Sequence, residues 1–252
     1  MSKIVKGVLD LLEIFCEKNY SLGITEISNK ILEGKSSVFK KIKILEELEY
    51  IEQDPDNKKY RLTTKLLELV NKSLTRYYER TNIAKFLKII TNRTGETTYF
   101  GLKNRKNRLI YVDRCQSDSL IAINTNIGDS PLPYCTAHGK ALLAFLDIED
   151  IEQVIKNGLI KFTKNTINDR QKLLEELRKI REQGYAIDDE EREIGFRCVA
   201  APVFNSKKEV IGAIGISGII QRLTDDKMEK NAAIIKDVAE KISINIGNDI
   251  IF

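Results

Sequence analysis

The sequence predicts an α+β protein in two parts: a small helical unit closed by a β-hairpin, then an antiparallel sheet covered by helices. Two patterns carry this reading. Residues 3–49 repeat apolar side chains at helical spacing, and two short alternating segments follow directly. From Thr97 onward, β-rich stretches are interrupted by helical ones and end on a long helix. The composition permits it: 252 residues, 42% hydrophobic and 31% charged, are enough for two packed domains and do not describe a disordered polyampholyte.

Val5, Val8, Leu9, Leu12, Phe15 and Cys16 form one apolar stripe, which predicts a helix over 3–18. Thr25 is expected to cap a short second helix through Lys30, with Glu26 in its first turn. A break at 32–35 contains Gly34. Ser36 or Ser37 then caps a third helix running to about Glu49. Tyr50-Ile51-Glu52, the turn Asp54-Pro55-Asp56-Asn57 and the segment 59–62 predict a hairpin. Helix, short helix, turn, helix, hairpin is the order of a winged helix-turn-helix.

Leu66, Leu69, Val70 and Leu74 continue as a linker helix to about Arg80. Ile83, Phe86, Leu87 and Ile90 make a second helix closed by Gly95. Strands are expected at 97–102, 109–114, 120–124, 185–188, 198–204 and 210–219. Helices are expected at 139–146, 148–156, 169–182 and 225–247. The domain reading is therefore 1–63, a linker helix at 64–80, and an α+β domain at 81–252.

Several function classes fall away early. The longest nearly unbroken apolar run, 210–220, contains Gly and Ser and is far below the ~18 residues of a membrane span. The first residues carry Asp10 and Glu13 with no cleavage site, so a cytoplasmic protein is expected. Cys16, Cys115, Cys135 and Cys198 have no CxxC spacing, which argues for reduced thiols over a disulfide framework or zinc finger. The one histidine, His138, has no GxSxG nucleophile elbow to accompany it. Gly34-Lys35-Ser36 mimics the end of a phosphate-binding loop, but Asn29 stands where that loop requires Gly. Gly212, Gly215 and Gly218 lie within one apolar strand, not at a strand-to-helix turn. No cofactor is implied.

The net charge of +4 is too mild to prove a polyanion partner, so the case for one rests on the third helix. At ~100° per residue from Val38, Ile42 lies at about 40°, Leu45 at about 340° and Leu48 at about 280°, a core side. Lys43, Ser36, Glu47 and Lys40 fall at about 140°, 160°, 180° and 200°. Residues 35–43 hold Lys35, Lys40, Lys41 and Lys43 and no acid. Lysines on a wet face alone describe any solvated helix. Their place in a helix-turn-helix with a wing favours phosphate contact, with hydroxyls at the helix start free to meet phosphate or a base edge. Thr25, Ser36, Ser37 and the wing's Arg61 join the lysines as candidate DNA contacts.

These blocks resemble the IclR-type family of bacterial transcription regulators over nearly the whole length. The resemblance rests on Ile24-Thr25-Glu26-Ile27-Ser28, Lys35-Ser36-Ser37-Val38-Phe39-Lys40, Thr136-Ala137-His138-Gly139-Lys140-Ala141 and Gly184-Tyr185-Ala186-Ile187-Asp188-Asp189-Glu190-Glu191. It continues through Gly195-Phe196-Arg197-Cys198-Val199-Ala200-Ala201-Pro202 and Ala213-Ile214-Gly215-Ile216-Ser217-Gly218. It implies a winged-helix reader, a linker helix used in dimerisation, and a GAF-like antiparallel-sheet effector domain. It also implies operator DNA bound as dimers or dimers of dimers, and control by a small organic acid, aromatic compound or sugar acid. A repressor is expected.

The chain departs from the family where Leu32 and Glu49 replace the usual glycines at helix ends, each at ~1 kcal/mol in a left-handed cap. Lys40 replaces the usual arginine and presents a point charge, not a bidentate fork. The expected reader therefore leans on phosphate and AT-rich groove shape.

Carried over by motif, the effector contacts implied are Ala137, His138, Asp188, Cys198, Gly215 and Ser217, with Leu120 and Ile123 as apolar walls. His138 is open to three readings: a neutral hydrogen-bonded imidazole, one that protonates when an acid binds, or part of a metal set with Cys135, Asp188 and Cys198. Asp188 and Cys198 already have a ligand-binding explanation, which ranks the metal set last. An enzyme built on the second domain and a protein-interaction adaptor are the rivals from other classes.

Overall fold

A computed structural model describes residues 3–16, 21–72, 82–121, 123 and 125–246. The chain divides into two compact units, Met1–Tyr77 and Tyr78–Phe252.

In the first unit, α1 (Lys3–Phe15), α2 (Ile24–Ile31) and α3 (Lys35–Glu47) are followed by an antiparallel hairpin of β1 (Ile51–Gln53) and β2 (Tyr60–Leu62). Their apolar stripes meet in one core: Leu11 and Phe15 from α1, Ile27 from α2, Val38, Ile42 and Leu45 from α3, and Ile51 and Tyr60 from the hairpin. Leu22 and Tyr60 exchange backbone hydrogen bonds of 2.9 and 2.8 Å, which ties the hairpin to the start of α2. The Asp54 carboxylate closes the hairpin turn by accepting from the amides of Asp56 and Asn57.

The helix starts differ from expectation. Gly23, not Thr25, caps α2, and its N–H donates to Glu26 Oε2 at 2.7 Å. Gly34, not Ser36 or Ser37, caps α3, and the Ser37 hydroxyl instead donates back to Glu33. In both cases the extended backbone of a glycine supplies the cap geometry two or three residues before the expected hydroxyl. Leu32 (φ 55°) and Glu49 (φ 62°) adopt the left-handed conformation although neither is glycine, so at these two positions the costly cap is kept. Residues 65–72 form α4; the expected remainder of the linker helix, like 17–18 of the first helix, lies outside the described residues.

The second unit is a five-stranded antiparallel sheet in the order β4-β3-β7-β6-β5 among the described residues. The strands are β3 (Thr97–Lys103), β4 (Leu109–Cys115), β5 (Ala186–Asp189), β6 (Phe196–Phe204) and β7 (Val210–Ile219). Strand alternation sends Cys198 and Ala200 to one face and Val199 and Ala201 to the other. The first face packs under α6 (Ala137–Leu143), with α8 (Arg170–Gln183) outside it and α7 (Ile148–Lys156) beside them. Helices α5 (Ile83–Thr94) and α9 (Asp225–Ile246) pack together against the sheet, and Ser243 of α9 accepts from the Phe204 amide at 3.0 Å. Gly215 is required where β7 passes β6: a Cβ there would lie 2.3 Å from the Val199 carbonyl.

Among the described residues 120, 121 and 123, the strand expected at 120–124 is not seen. Its described residues run as loop, held by backbone carbonyls: Ile123 accepts from the Tyr99 hydroxyl and Ile121 from Arg222.

Candidate functional site

Two features stand out, one in each unit. The first is the outer face of α3. Val38, Ile42 and Leu45 are buried, while Lys35, Ser36, Ser37, Lys40 and Lys43 are exposed. Lys35 and Lys40 make no ion pair among the described residues. Lys43 pairs with Glu46 at 2.6 Å and lies over the Phe39 ring. Arg61 on the hairpin pairs with Glu52 at 2.7 Å, and Thr25 is exposed in the first turn of α2.

Lys41 must be removed from the candidate set. Its side chain is only 9% exposed, and its ammonium bonds Glu33 at 2.5 and 2.7 Å. Gly7 of α1 leaves the room, since a Cβ there would meet that ammonium at 2.2 Å. At ~100° per residue Lys41 falls at about 300°, on the Leu45 side of the helix, so its position was readable from the same wheel.

The second feature is a cavity of about 590 Å³ on the α6 face of the sheet. Of the expected wall residues, Ile123, Ala137, His138, Asp188, Cys198 and Ser217 line it. Leu120 does not: it is fully exposed, because its segment is a surface loop and not a strand. Gly215 does not line it either. It lies beneath α6, where its backbone accepts from His138.

His138 is buried in α6, with its Nε2 3.2 Å from the Tyr99 carbonyl and its ring edge-on to Tyr111 at 5.3 Å. Burial pushes its pKa down to about 4, so the neutral imidazole is the resting form and the reading of a histidine that charges on binding an acid loses support. Burial raises Asp188 to about 6. Its carboxylate accepts from the amides of Glu191, at 2.8 Å, and Arg192, so it braces the turn that follows β5. Lys140 of α6 reaches the same turn, pairing with Glu191 and, at 3.0 Å, with Glu176 of α8. Burial also lifts the Cys135 thiol to about 12 and raises Cys198, so neither is a thiolate nucleophile at neutral pH. Cys135 is off the cavity wall, and among the described residues no three His, Cys, Asp or Glu side chains are grouped to hold a metal ion.

Several lining residues were not anticipated: Tyr111, Thr136, Phe196 and Arg192. Thr136 caps α6 by accepting from the Gly139 amide, and its hydroxyl donates to the Leu132 carbonyl at 2.7 Å. Arg192 stacks on the Phe162 ring, 3.9 Å from its centroid. The sequence signal for it was a lone cation inside the acidic run 188–193.

Residues 72–244 match the family described as the bacterial transcriptional regulator IclR C-terminal domain. The regulator KdgR of Escherichia coli (strain K12) is 31% identical over 98% of this chain and 93% of its own. The solved IclR of Thermotoga maritima is 31% identical, with a TM-score of 0.74 over 96% of this chain and 98% of that one. An IclR homologue from Microbacterium hydrocarbonoxydans, solved with 4-hydroxybenzoate, has the same fold at 19% identity and a TM-score of 0.84, covering 97% and 99% of the two chains. KdgR is named as a transcriptional regulator, and the chain belongs to the IclR family of bacterial transcriptional regulators.

Proposed function

We propose that this protein is a cytoplasmic, ligand-controlled repressor that binds operator DNA through a winged helix-turn-helix and a small organic acid through its C-terminal, GAF-like domain. The observation that carries the DNA reading is α3: its apolar side is locked in the core, while Lys35, Ser36, Lys40 and Lys43 face solvent on the other side. Lys35 and Lys40 are available to phosphate without breaking any ion pair. The Lys43–Glu46 and Arg61–Glu52 pairs are exposed and screened by water, so phosphate can replace the carboxylate. Thr25 and Ser37 flank the same surface. A two-fold assembly sets two such helices in successive major grooves, about 34 Å apart.

The effector reading is supported by the cavity, whose volume suits a small organic molecule and whose wall mixes aromatic and polar groups. Binding changes operator occupancy only as far as the acid prefers one state of the assembly over the other. We place the coupling in the linker helix expected at 64–80.

Fluorescence anisotropy on duplex DNA at 50–200 mM salt tests both halves. The expected result is binding that weakens steeply with salt and shifts when an organic acid is added. Salt-insensitive binding defeats the reader. Unchanged affinity across a panel of acids defeats ligand control.

A further inference from the structure

We propose that Arg192 is the residue that grips the effector's carboxylate, so that the ligand class is a small carboxylic acid held by its carboxylate at the cavity mouth with its body turned inward. This rests on the effector reading above and goes beyond it in naming the anchoring residue and the orientation.

Arg192 is the one cation among the described residues lining the cavity. It is also uncommitted. Nearby Arg197 pairs with Asp189 and Asp225, Arg222 with Glu96, and Lys140 with Glu191 and Glu176. Arg192 follows four acids in sequence and precedes a fifth, yet makes no ion pair among the described residues.

Two contacts hold it ready. Its guanidinium carbon sits over the Phe162 ring, 3.9 Å from the centroid, and its backbone amide donates to the buried Asp188 carboxylate. Stacking on a ring leaves the in-plane N–H donors open, which is the geometry that a planar carboxylate accepts bidentately. The rest of the wall decides the orientation. Asp129, Asp188 and Glu193 also line the cavity, so among its described side chains Arg192 alone offers an anion an opposite charge. Tyr111, Leu132 and Phe196 offer contact to an uncharged body, and Ser217 and Thr136 to its hydroxyls.

The test is calorimetry on the full-length protein with 4-hydroxybenzoate, glucuronate and lactate, each beside its uncharged amide. In the parent, at least one acid binds and its amide binds at least about 10-fold more weakly. Arg192→Gln should weaken that acid by about 10- to 100-fold and leave the amide nearly unchanged. Arg192→Lys should fall between, and Phe162→Leu, which keeps the charge but removes the ring, should lose about 2- to 5-fold. Arg192 is exposed, so unliganded Arg192→Gln should melt as the parent does. If Arg192→Gln keeps the parent's preference for acid over amide, the inference is overturned while the effector reading stands. If the parent binds none of the acids, both fall.

Discussion

Lys40 and Lys41 are neighbours in sequence with opposite surroundings, and replacing each with alanine separates reading DNA from holding the fold. Lys40 is exposed and makes no ion pair among the described residues, so Lys40→Ala should leave the urea midpoint unchanged. On DNA it should lower the slope of log K against log [salt] by about 0.9 for each phosphate that is no longer neutralised, or about 1.8 in a two-fold assembly. Lys41 is the reverse. Its ammonium is buried against Glu33, whose side chain is 35% exposed. Breaking a fully buried pair costs about 3–5 kcal/mol, and breaking an exposed one costs at most about 1. A pair with one wet partner lies between, so Lys41→Ala should destabilise the first unit by about 1–2 kcal/mol, including the packing of the aliphatic stem. Its salt slope on DNA should match the parent's.

Urea unfolding and anisotropy on one operator-length duplex read both quantities from the same preparations. A reduced salt slope in Lys41→Ala with an unchanged urea midpoint would refute the orientation of α3. So would a Lys40→Ala protein whose slope equals the parent's.

Three further outcomes follow from the geometry. Leu32→Gly and Glu49→Gly each relieve a left-handed residue that is exposed and packs little, so each should raise stability by up to about 1 kcal/mol in thermal melts. Asp188, raised to about 6 by burial, contributes stability in its protonated form below about pH 4, its ordinary carboxylate value, and loses that contribution as pH rises to 6; Asp188→Asn should therefore match the parent near pH 4 and be the more stable protein above pH 6, read by melts across pH. His138 is the chain's one histidine, so a single ring resonance should stay in its neutral position from pH 8 down to about 5, and an NMR midpoint near 6.5 would contradict its burial.

Much of the fold was legible because its signals are local. The helix at 148–156 and the strand at 210–219 sit where apolar spacing put them, and Gly95 ends α5 in a left-handed cap as expected. The left-handed Leu32 and Glu49 were legible only through the resemblance, since neither residue type favours that conformation. The segment 120–124 misled because its β-branched content fits a strand, whereas the carbonyls of Ile121 and Ile123 are taken by long-range bonds from Arg222 and Tyr99. Within the cavity, motif matching found Ala137 and His138 on α6, Asp188 on β5, Cys198 on β6 and Ser217 on β7. It missed Arg192, which makes no ion pair among the described residues while Asp189 and Glu191 beside it do, and the Glu191–Lys140 pair across 51 residues of chain is not written in any local pattern.

The same reasoning explains why net charge was a poor guide to partner and local pairing a better one. Four lysines in 35–43 look equivalent as a run, yet one is spent internally on Glu33 and one is shared with Glu46, leaving Lys35 and Lys40 unpaired. In the second unit the acidic run 188–193 looks hostile to any anion. Asp188, however, is turned onto backbone amides, Asp189 onto Arg197 and Glu191 onto Lys140, while Arg192 lines the cavity with no ion pair among the described residues. In both places the groups left without internal partners mark where an outside charge can bind. A chain with an overall charge of only +4 can therefore present one surface to a polyanion and a separate single cation to a carboxylate.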